Sequence, residues 1–580
     1  MHIDYNQYTK KMKRIFHSKI APVRRMQTSD IHFVGGKDPA RRTIFLILIF
    51  GVVLFFIILV IKLFTLTIVK GDYYRRLSES NRVREIPIEP KYGTIKDRKG
   101  LILAENKEAV ISTMQDFIRS ERVYYFPEET AHLIGYRQLA DKKDIETDYC
   151  PRKLVINERV GKKGIEKLFD CELRGTPGKK LVEVDASGKK GEIIAIIPPI
   201  NGKTIQLALD IELQRAAFTA LKGRRGVVIV MNPKTGELLA FLSSPSFNPT
   251  FFEKGDARVS TLLDNAEKPL LNRITEGVYP PGSIFKPIIA VGALEEGIFT
   301  DKTIVQDNGF VMAGALRFGN WYFLQYGKTE GPVNMIKAIQ RSNDTYFYKL
   351  GEAMGPEKMQ LWAEKFGLGS AVHIGFDEAE GTLPSPFWKS EVLKEKWFLG
   401  DTYNYAIGQG YLSTTPLQMA YAFGPFANNG VQCKPQLIKG ASPECKKLPI
   451  KKSTLDLINE GMREACSTGG TGWPLFDFKV KNIELFAKDL EKVPDAKKAS
   501  AEASMNRESK YFKPIQTACK TGTAESHAKS EIPHAWAQVF APFEKPEIAI
   551  TVLLEEAGQG SDVAIPIAKE ILNTYFERVE

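Results

Sequence analysis

Three short segments carry residues that can do covalent chemistry. In PPGSIFK, Ser283 and Lys286 stand three residues apart. On a helix beginning beside Pro281 that spacing is about one turn, which puts a hydroxyl and an amine on one face at the helix's positive end. Such a pair is a nucleophile beside a candidate base. Ser342, Asn343 and Asp344 follow in RSNDTYFY, and Lys520, Thr521, Gly522 and Thr523 in ACKTGTAES. Taken singly, each triplet occurs by chance in many proteins, and a surface helix pair explains S-x-x-K equally well. Together and in order they supply what acyl transfer needs: a serine to attack, amines to manage its proton, and hydroxyls that can hold a carboxylate.

Residues spread from 283 to 523 must be gathered by a layered domain. From Thr204, TIQLALD alternates like a strand and IELQRAAFTAL has helical spacing. GVVIVMNPKTGELLAFLSS reads as strand, turn at Asn232 to Gly236, and strand. Near the end, HAWAQVFAP and EIAITVLLEE read as strands and VAIPIAKEILNTYFERV as a helix. Strands at both ends with helices between predict an α/β layer structure whose sheet joins distant segments. The domain boundary falls near Gly202. Residues 71 to 106 pass from a polar start to a Pro-marked extended stretch and a turn at Asp97 to Gly100, as a membrane-proximal stalk would. Residues 486 to 512 are charged and Ala/Ser-rich without a clear apolar face. They read as a solvated loop or short exposed helix, with a partner-docking insert as the lesser alternative.

The ordered set of three motifs is that of penicillin-binding proteins and class A β-lactamases, and the chain resembles class B penicillin-binding proteins well beyond it. GDYYRRLSESNRVREIPIEP and YGTIKDRKGLILAEN resemble their stalk, and GKKGIEKLFDCELRGTPG (161 to 178) resembles their GxxGIE and LRGxPG signatures. LALDIELQ, VVIVMNPKTGELLAFLSSPSFNP, PLLNRITEGVYPPGSIFKP, YNYAIGQGYLSTTPLQMAYAFGPFANNG and HAWAQVFAP follow in the family's order. SNDTYFY, with Asp closing the second motif, resembles the elongation-type penicillin-binding protein 2, whereas division-type relatives usually carry S-x-N.

The resemblance implies an α/β (α+β) penicillin-binding transpeptidase, serine β-lactamase-like in fold, preceded by one transmembrane helix and a mostly β or extended pedestal. The expected division is a cytoplasmic basic tail (1–42), a signal-anchor helix (43–69), a dimerisation-type pedestal (70–202) and a transpeptidase domain (203–580) with the charged insert at about 486–512. The pedestal's head is expected to be short, because about seventeen residues separate Asn106 from Tyr124 where the family usually carries a larger subdomain.

Site roles follow from the same resemblance. Ser283 attacks the penultimate D-Ala carbonyl of a stem peptide. Lys286 is its general base, since a crowded cleft that also holds Lys520 disfavours the charged amine. The backbone N–H groups of Ser283 and Thr523 form the oxyanion hole. Ser342 relays a proton to the leaving D-Ala, and Lys520 holds Ser342 and draws the substrate carboxylate. Gly522, without a Cβ, leaves room for a peptide to add to the KTG strand, and the Thr521 and Thr523 hydroxyls hold its carboxylate. Asp344 would favour the charged form of both lysines and so oppose the depression Lys286 needs; a purely positional hydrogen-bonding role is the equal alternative. No metal is expected, because residues 287 to 341 contain neither His nor Cys, and no cofactor. The implied partners are peptidoglycan stem peptides, β-lactams as inhibitors, a SEDS-family (RodA-type) glycosyltransferase with elongation-complex proteins, and the membrane.

Composition narrows the competitors. The 580 residues leave room for three or four domains, and a hydrophobic share of 43% with 26% charged residues is ordinary globular material. The net charge of +11 suits an anionic membrane surface, a polyanionic polymer or nucleic acid, without choosing among them. G-K-T at 202 to 204 and 327 to 329 lacks the leading Gly of a P-loop, so nucleotide binding has no support, and no nucleic-acid partner is expected. Six cysteines show no C-x-x-C. Cys433 and Cys445 are close enough to pair if extracytoplasmic, though free buried thiols fit as well. Thr43 to Ile61 is nineteen residues without a charge, about 28 Å of helix against a hydrocarbon core of about 30 Å. Ten Lys and Arg before it, against Asp4, Asp30 and Asp38, predict a cytoplasmic N-terminus and an extracytoplasmic, periplasmic catalytic domain on a single-pass inner-membrane protein. Other readings remain: a division-type class B protein, a non-catalytic scaffold or β-lactam sensor, a carboxypeptidase or β-lactamase, or a Ser-His-Asp hydrolase using His527 or His534, which lacks a G-x-S-x-G elbow. A sensor would need a signalling module, for which 42 cytoplasmic residues are too few.

Overall fold

A computed structural model describes residues 39–109, 119–155, 158–184, 190–506, 508–526 and 531–577. The expected basic tail up to Asp38, the middle of the short head and His527 lie outside these residues. The chain forms two compact units, Met1–Arg84 with Val182–Glu192, and Glu85–Leu181 with Ile193–Glu580.

In the first unit, an α-helix at Pro39–Phe64 continues as a π-helix at Thr65–Val69. The stretch Arg42–Val69 has a mean hydropathy of 3.6 in its most apolar window and none of that window is buried. It is apolar all round, unlike the one-sided stripe of a surface helix. Thr65 and Thr67 donate their hydroxyls to Ile61 O and Leu63 O, each at 2.7 Å, so both hydroxyls are satisfied by the span's own backbone, as a lipid setting demands. A polar helix, Gly71–Arg82, follows.

The second unit is built on a five-stranded antiparallel sheet. Its strands are β1 (Gly226–Met231), β2 (Leu238–Ser244), β3 (Ala518–Ala524), β4 (His534–Ala541) and β5 (Ile548–Leu554), in the spatial order β2-β1-β5-β4-β3. As the alternation of the sequence predicts, residues from the two ends of the domain share one sheet. The helices that matter here are α1 (Ile211–Leu221), α2 (Lys286–Glu295), α3 (Asp344–Met354), α4 (Lys452–Ala465) and α5 (Ile565–Phe576). Period-2 alternation splits the strands between two cores. On β5, Ile548, Ile550, Val552 and Leu554 pack with Leu213 and Ala217 of α1 and Ile571 of α5, while Ala549 and Leu553 join the core of α2 and α3 on the opposite face. Helix α2 is buried at eight consecutive positions from Lys286 to Ala293. A helix this apolar must be central, and its first residue, a lysine, is carried into the core with it.

Before the sheet, charged segments that include GIE and LRG form a polar core. Arg122 is fully buried, with Nε donating to Glu166 Oε1 at 2.8 Å and Nη1 to Gly93 O at 2.6 Å. Arg137 donates to Glu253 Oε1 at 2.7 Å, and the Tyr92 ring lies 5.0 Å from the Arg122 guanidinium and 4.2 Å from that of Arg137. Glu166 is the acid of GIE, and Arg174 of LRG pairs with Asp148 and Asp170. Removing one member would strand a buried charge, which is why these residues are paired throughout.

Two expectations are revised. Residues 486 to 512 are not a loop but, as the other half of the sequence reading has it, short and largely exposed helices, Ile483–Glu491 and Lys498–Met505; beyond that reading, they enclose a small core of Phe486, Met505 and Tyr511 beside a two-stranded sheet, Lys479–Lys481 with Phe512–Pro514. The apolar residues are too sparse to show a periodic face, and they converge only in the folded subdomain. The cysteines are all paired, as Cys150–Cys171, Cys433–Cys445 and Cys466–Cys519. Only the middle pair was suggested by proximity in sequence. Cys466–Cys519 staples the end of α4 to β3 and closes the loop that contains the insert. Replacing both Cys466 and Cys519 by Ala is expected to lower stability by about 2–4 kcal/mol, read as a lower guanidinium midpoint under oxidising conditions; an unchanged midpoint would show that the cross-link carries no stability.

Candidate active site

Ser283 lies in a 3-10 turn, Gly282–Phe285, and Lys286 is the first residue of α2. The expected α-helical start at Pro281 is thus a tighter turn, in which side chains three apart eclipse, so the hydroxyl and the amine still share a face. Gly282 has φ +56, a left-handed conformation that favours glycine, and a Cβ there would lie 2.8 Å from Thr523 O. The turn is held by Gly282 N donating to Gly408 O at 2.8 Å and Trp536 Nε1 to Pro280 O at 3.0 Å. Ser283 is half-buried and Lys286 fully buried.

The second motif sits where helix Met335–Gln340 ends and α3 begins. Ser342 adopts φ +53, and Asn343 caps α3 by accepting from Tyr346 N at 2.8 Å. Asn343 Nδ2 donates to Asp307 Oδ2 at 3.0 Å, an oxygen that also accepts from Asn320 Nδ2 at 2.9 Å and Glu330 N at 3.0 Å. Burial alone would raise the Asp307 carboxyl, but the donors from Glu330, Gly309 and Asn343 outweigh it and hold it below the usual range. Asn320 Oδ1 accepts from Asp344 N at 3.0 Å, and Trp321 N donates to Asp344 Oδ2 at 2.9 Å. Asp344 therefore presents its other oxygen, Oδ1, in a fixed direction.

Lys286 and Lys520 meet around Ser342. Lys286 Nζ lies 2.6 Å from Asp344 Oδ1, 2.8 Å from Ser342 O and 3.3 Å from Ser342 Oγ. Lys520 Nζ lies 2.8 Å from Ser342 Oγ and 2.9 Å from Thr521 O. Both amines are fully buried. Burial lowers the Lys286 ammonium from its ordinary pKa, with the Asp344 carboxylate opposing. Lys520 is pushed well below its ordinary value by burial and then by the charge of Lys286, again with Asp344 opposing. One carboxylate cannot comfortably keep two buried ammonium groups charged. The Ser342 hydroxyl can accept from the charged amine while donating to the lone pair of the neutral one.

On β3, Lys520 and Gly522 point to the α2 side, and Thr521 to the other. Gly522 differs from the expected role. A Cβ there would meet Trp536 Cβ at 3.0 Å, Ile284 Cγ2 at 3.1 Å and Pro281 O at 3.2 Å, so the missing side chain admits the serine turn and not a ligand. The hydroxyls of buried Thr521 and of Thr471 share a 2.7 Å hydrogen bond, and Thr523 is exposed on the sheet's edge. Sequence reasoning missed Asp307, Asn320, Trp321 and Thr471. None lies in a motif: Asp307 ends the strand Val305–Asp307, Asn320 and Trp321 open the helix Trp321–Tyr326, Thr471 lies on a loop, and the fold alone decides where each stands. His534 accepts from Glu556 N at 3.1 Å through Nδ1 and stands edge-on to Tyr279, a structural placement.

Comparison with known proteins decides the family. A model of the penicillin-binding protein transpeptidase domain matches residues 226–573, and one of the penicillin-binding protein dimerisation domain matches 111–207. The chain belongs to the penicillin-binding-protein transpeptidase family. Its transpeptidase domain is of the penicillin-binding serine acyltransferase type. The chain is 32% identical to the peptidoglycan D,D-transpeptidase MrdA of Acinetobacter baumannii, over 87% of this chain and 83% of that one. Among solved structures, PBP2 of Pseudomonas aeruginosa bound to WCK 5153 superposes with a TM-score of 0.69 at 30% identity, covering 85% of this chain and 97% of that one. PBP2 of Helicobacter pylori in complex with MreC gives 0.70 at 25% identity, covering 85% and 98%.

Because Asp344 raises the affinity of Lys286 for its proton, Asp344→Asn lowers it further. The rising limb of the pH profile for β-lactam acylation is expected to move to lower pH, while the remaining amide oxygen keeps an acceptor for Trp321 N. A limb left in place would remove the electrostatic role and leave the positional one.

Proposed function

We propose that the chain is an elongation-type peptidoglycan D,D-transpeptidase that crosslinks stem peptides through a Ser283 acyl-enzyme. The observation that carries this reading is the Ser342 hydroxyl held between two desolvated lysines, Lys286 and Lys520, one turn from a serine. Neutral Lys286 takes the Ser283 proton as Oγ attacks the penultimate D-Ala carbonyl. The backbone N–H groups of Ser283 and Thr523 take the negative charge on the carbonyl oxygen. As the C–N bond breaks, the proton passes from Lys286 through Ser342 to the departing D-Ala amine. An acceptor amine then attacks the ester, its proton returns along the same relay, and Ser283 is regenerated. Lys520 holds Ser342 in register, and Thr521 with Thr523 faces the terminal carboxylate. A β-lactam is opened by the same attack, but its amine stays tethered and occupies the acceptor's place.

The Arg42–Val69 helix anchors the protein in the membrane, with the basic N-terminus cytoplasmic and the transpeptidase domain outside. Three disulfides support that side, since they persist in oxidising compartments. Proteins of the elongation machinery, among them a SEDS-family, RodA-type glycosyltransferase, are its partners; the complex of H. pylori PBP2 with MreC supports such an assembly.

The test is labelling of the full-length protein in detergent by a fluorescent penicillin, beside Ser283→Ala. Label that persists for hours on the wild type and is absent from the variant is the expected result. Label retained by folded Ser283→Ala, or none on the folded wild type, would overturn the reading, and rapid turnover would point to a hydrolase.

A further inference from the structure

Strand β3 is the edge of its sheet, and two of its outward backbone groups are already taken. Gln409 Nε2 donates to Thr523 O at 3.2 Å, and Glu525 N donates to Gln409 Oε1 at 3.3 Å. A carbonyl and the N–H two residues on are what one residue of an added parallel strand would pair with; an antiparallel one would take the N–H and the carbonyl of Thr523 and meet Gln409 at the carbonyl. The carboxamide of Gln409 thus stands in for a strand. Its backbone is fixed: Gln409 N donates to Asn404 O at 2.8 Å, and the preceding Gly408 is pressed against the serine turn, where a Cβ would lie 2.1 Å from Gly282 O. Its side chain is held less firmly. It is half-buried, and both of its hydrogen bonds are at the long end of the normal range.

Resting on the acyl-transfer reading above, we propose that Gln409 is a specificity-determining gate of this site, which occupies the peptide-pairing carbonyl of Thr523 until a ligand's amide N–H displaces it. A stem peptide that lies along β3 presents the N–H of its penultimate residue to Thr523 O. A penicillin presents the N–H of its acylamino group in the same way. Either ligand exchanges one hydrogen bond for another. A ligand without that N–H, such as a carbapenem, leaves Gln409 in place and gains nothing from its removal. Between substrates the same carboxamide covers an exposed strand edge that would otherwise pair with any extended chain.

The experiment compares full-length wild type with Gln409→Leu and Gln409→Glu in detergent, measuring second-order acylation rates for benzylpenicillin and for a carbapenem. Leucine removes both hydrogen bonds; glutamate keeps the acceptor for Glu525 N but as a carboxylate cannot donate to Thr523 O. Each variant is expected to raise the penicillin-to-carbapenem rate ratio about threefold to tenfold, the worth of one hydrogen bond no longer competed for. The two variants guard against misfolding of either one. A ratio that stays constant while both rates change would mean a structural role, and a ratio that falls would make Gln409 a ligand contact; each overturns the proposal. Wild-type protein that reacts with neither compound would overturn the acyl-transfer reading itself, and the gate with it.

Discussion

Everything in this site depends on two lysine side chains being taken out of water around one serine hydroxyl. An ammonium group in water has no reason to release its proton near neutral pH. Buried together, with a single carboxylate to share, Lys286 and Lys520 are both pushed toward the neutral form, and the Ser342 hydroxyl stands within hydrogen-bond reach of both. The rest of the domain maintains that desolvation. Helix α2 carries Lys286 into the core because its neighbours on all sides are apolar, and β3 carries Lys520 in because it pairs with β4 and faces the helical layer.

Close backbone approach is the second constraint. The serine turn, the strand end and the Gly408–Gly410 loop meet where Gly282, Gly408 and Gly522 have no side chains, and a Cβ at Gly408 would strike the backbone of the turn itself. Three chain segments more than a hundred residues apart can then share one small site. Asp307 extends the arrangement outward: it ties Asn343 and Asn320 together, Asn320 holds the Asp344 backbone, and the Asp344 carboxylate is aimed at Lys286 by Trp321 N. The orientation of one carboxylate is therefore set by residues outside the three motifs.

Away from the site, stability is arranged by pairing. The region before the sheet has a buried Arg–Glu core with Tyr92 between two guanidinium groups. The Cys466–Cys519 bridge joins α4 to the residue next to Lys520, so the chain leaves for the insert and returns at fixed points. The insert is folded around three apolar residues of its own.

Much of this was legible in the amino-acid order. The membrane helix is a matter of length and missing charge, and the strands of the sheet are legible as short apolar runs because each is buried on both faces by different cores. Ser283, Lys286, Ser342, Asp344 and Lys520 were legible because acyl transfer restricts which residue types can serve and the order of the motifs is itself a signal. What the sequence could not determine is anything set by contact between segments distant along the chain. Pairing of Cys150 with Cys171 and of Cys466 with Cys519, the inward direction of the missing Gly522 side chain, the aim of Asp344 and the placement of Gln409 on the strand edge were decided only by tertiary structure. The physical reason is that residue type limits what a group can do, whereas hydrogen bonds and burial, which determine its charge and direction, are made by neighbours that the sequence does not place beside it.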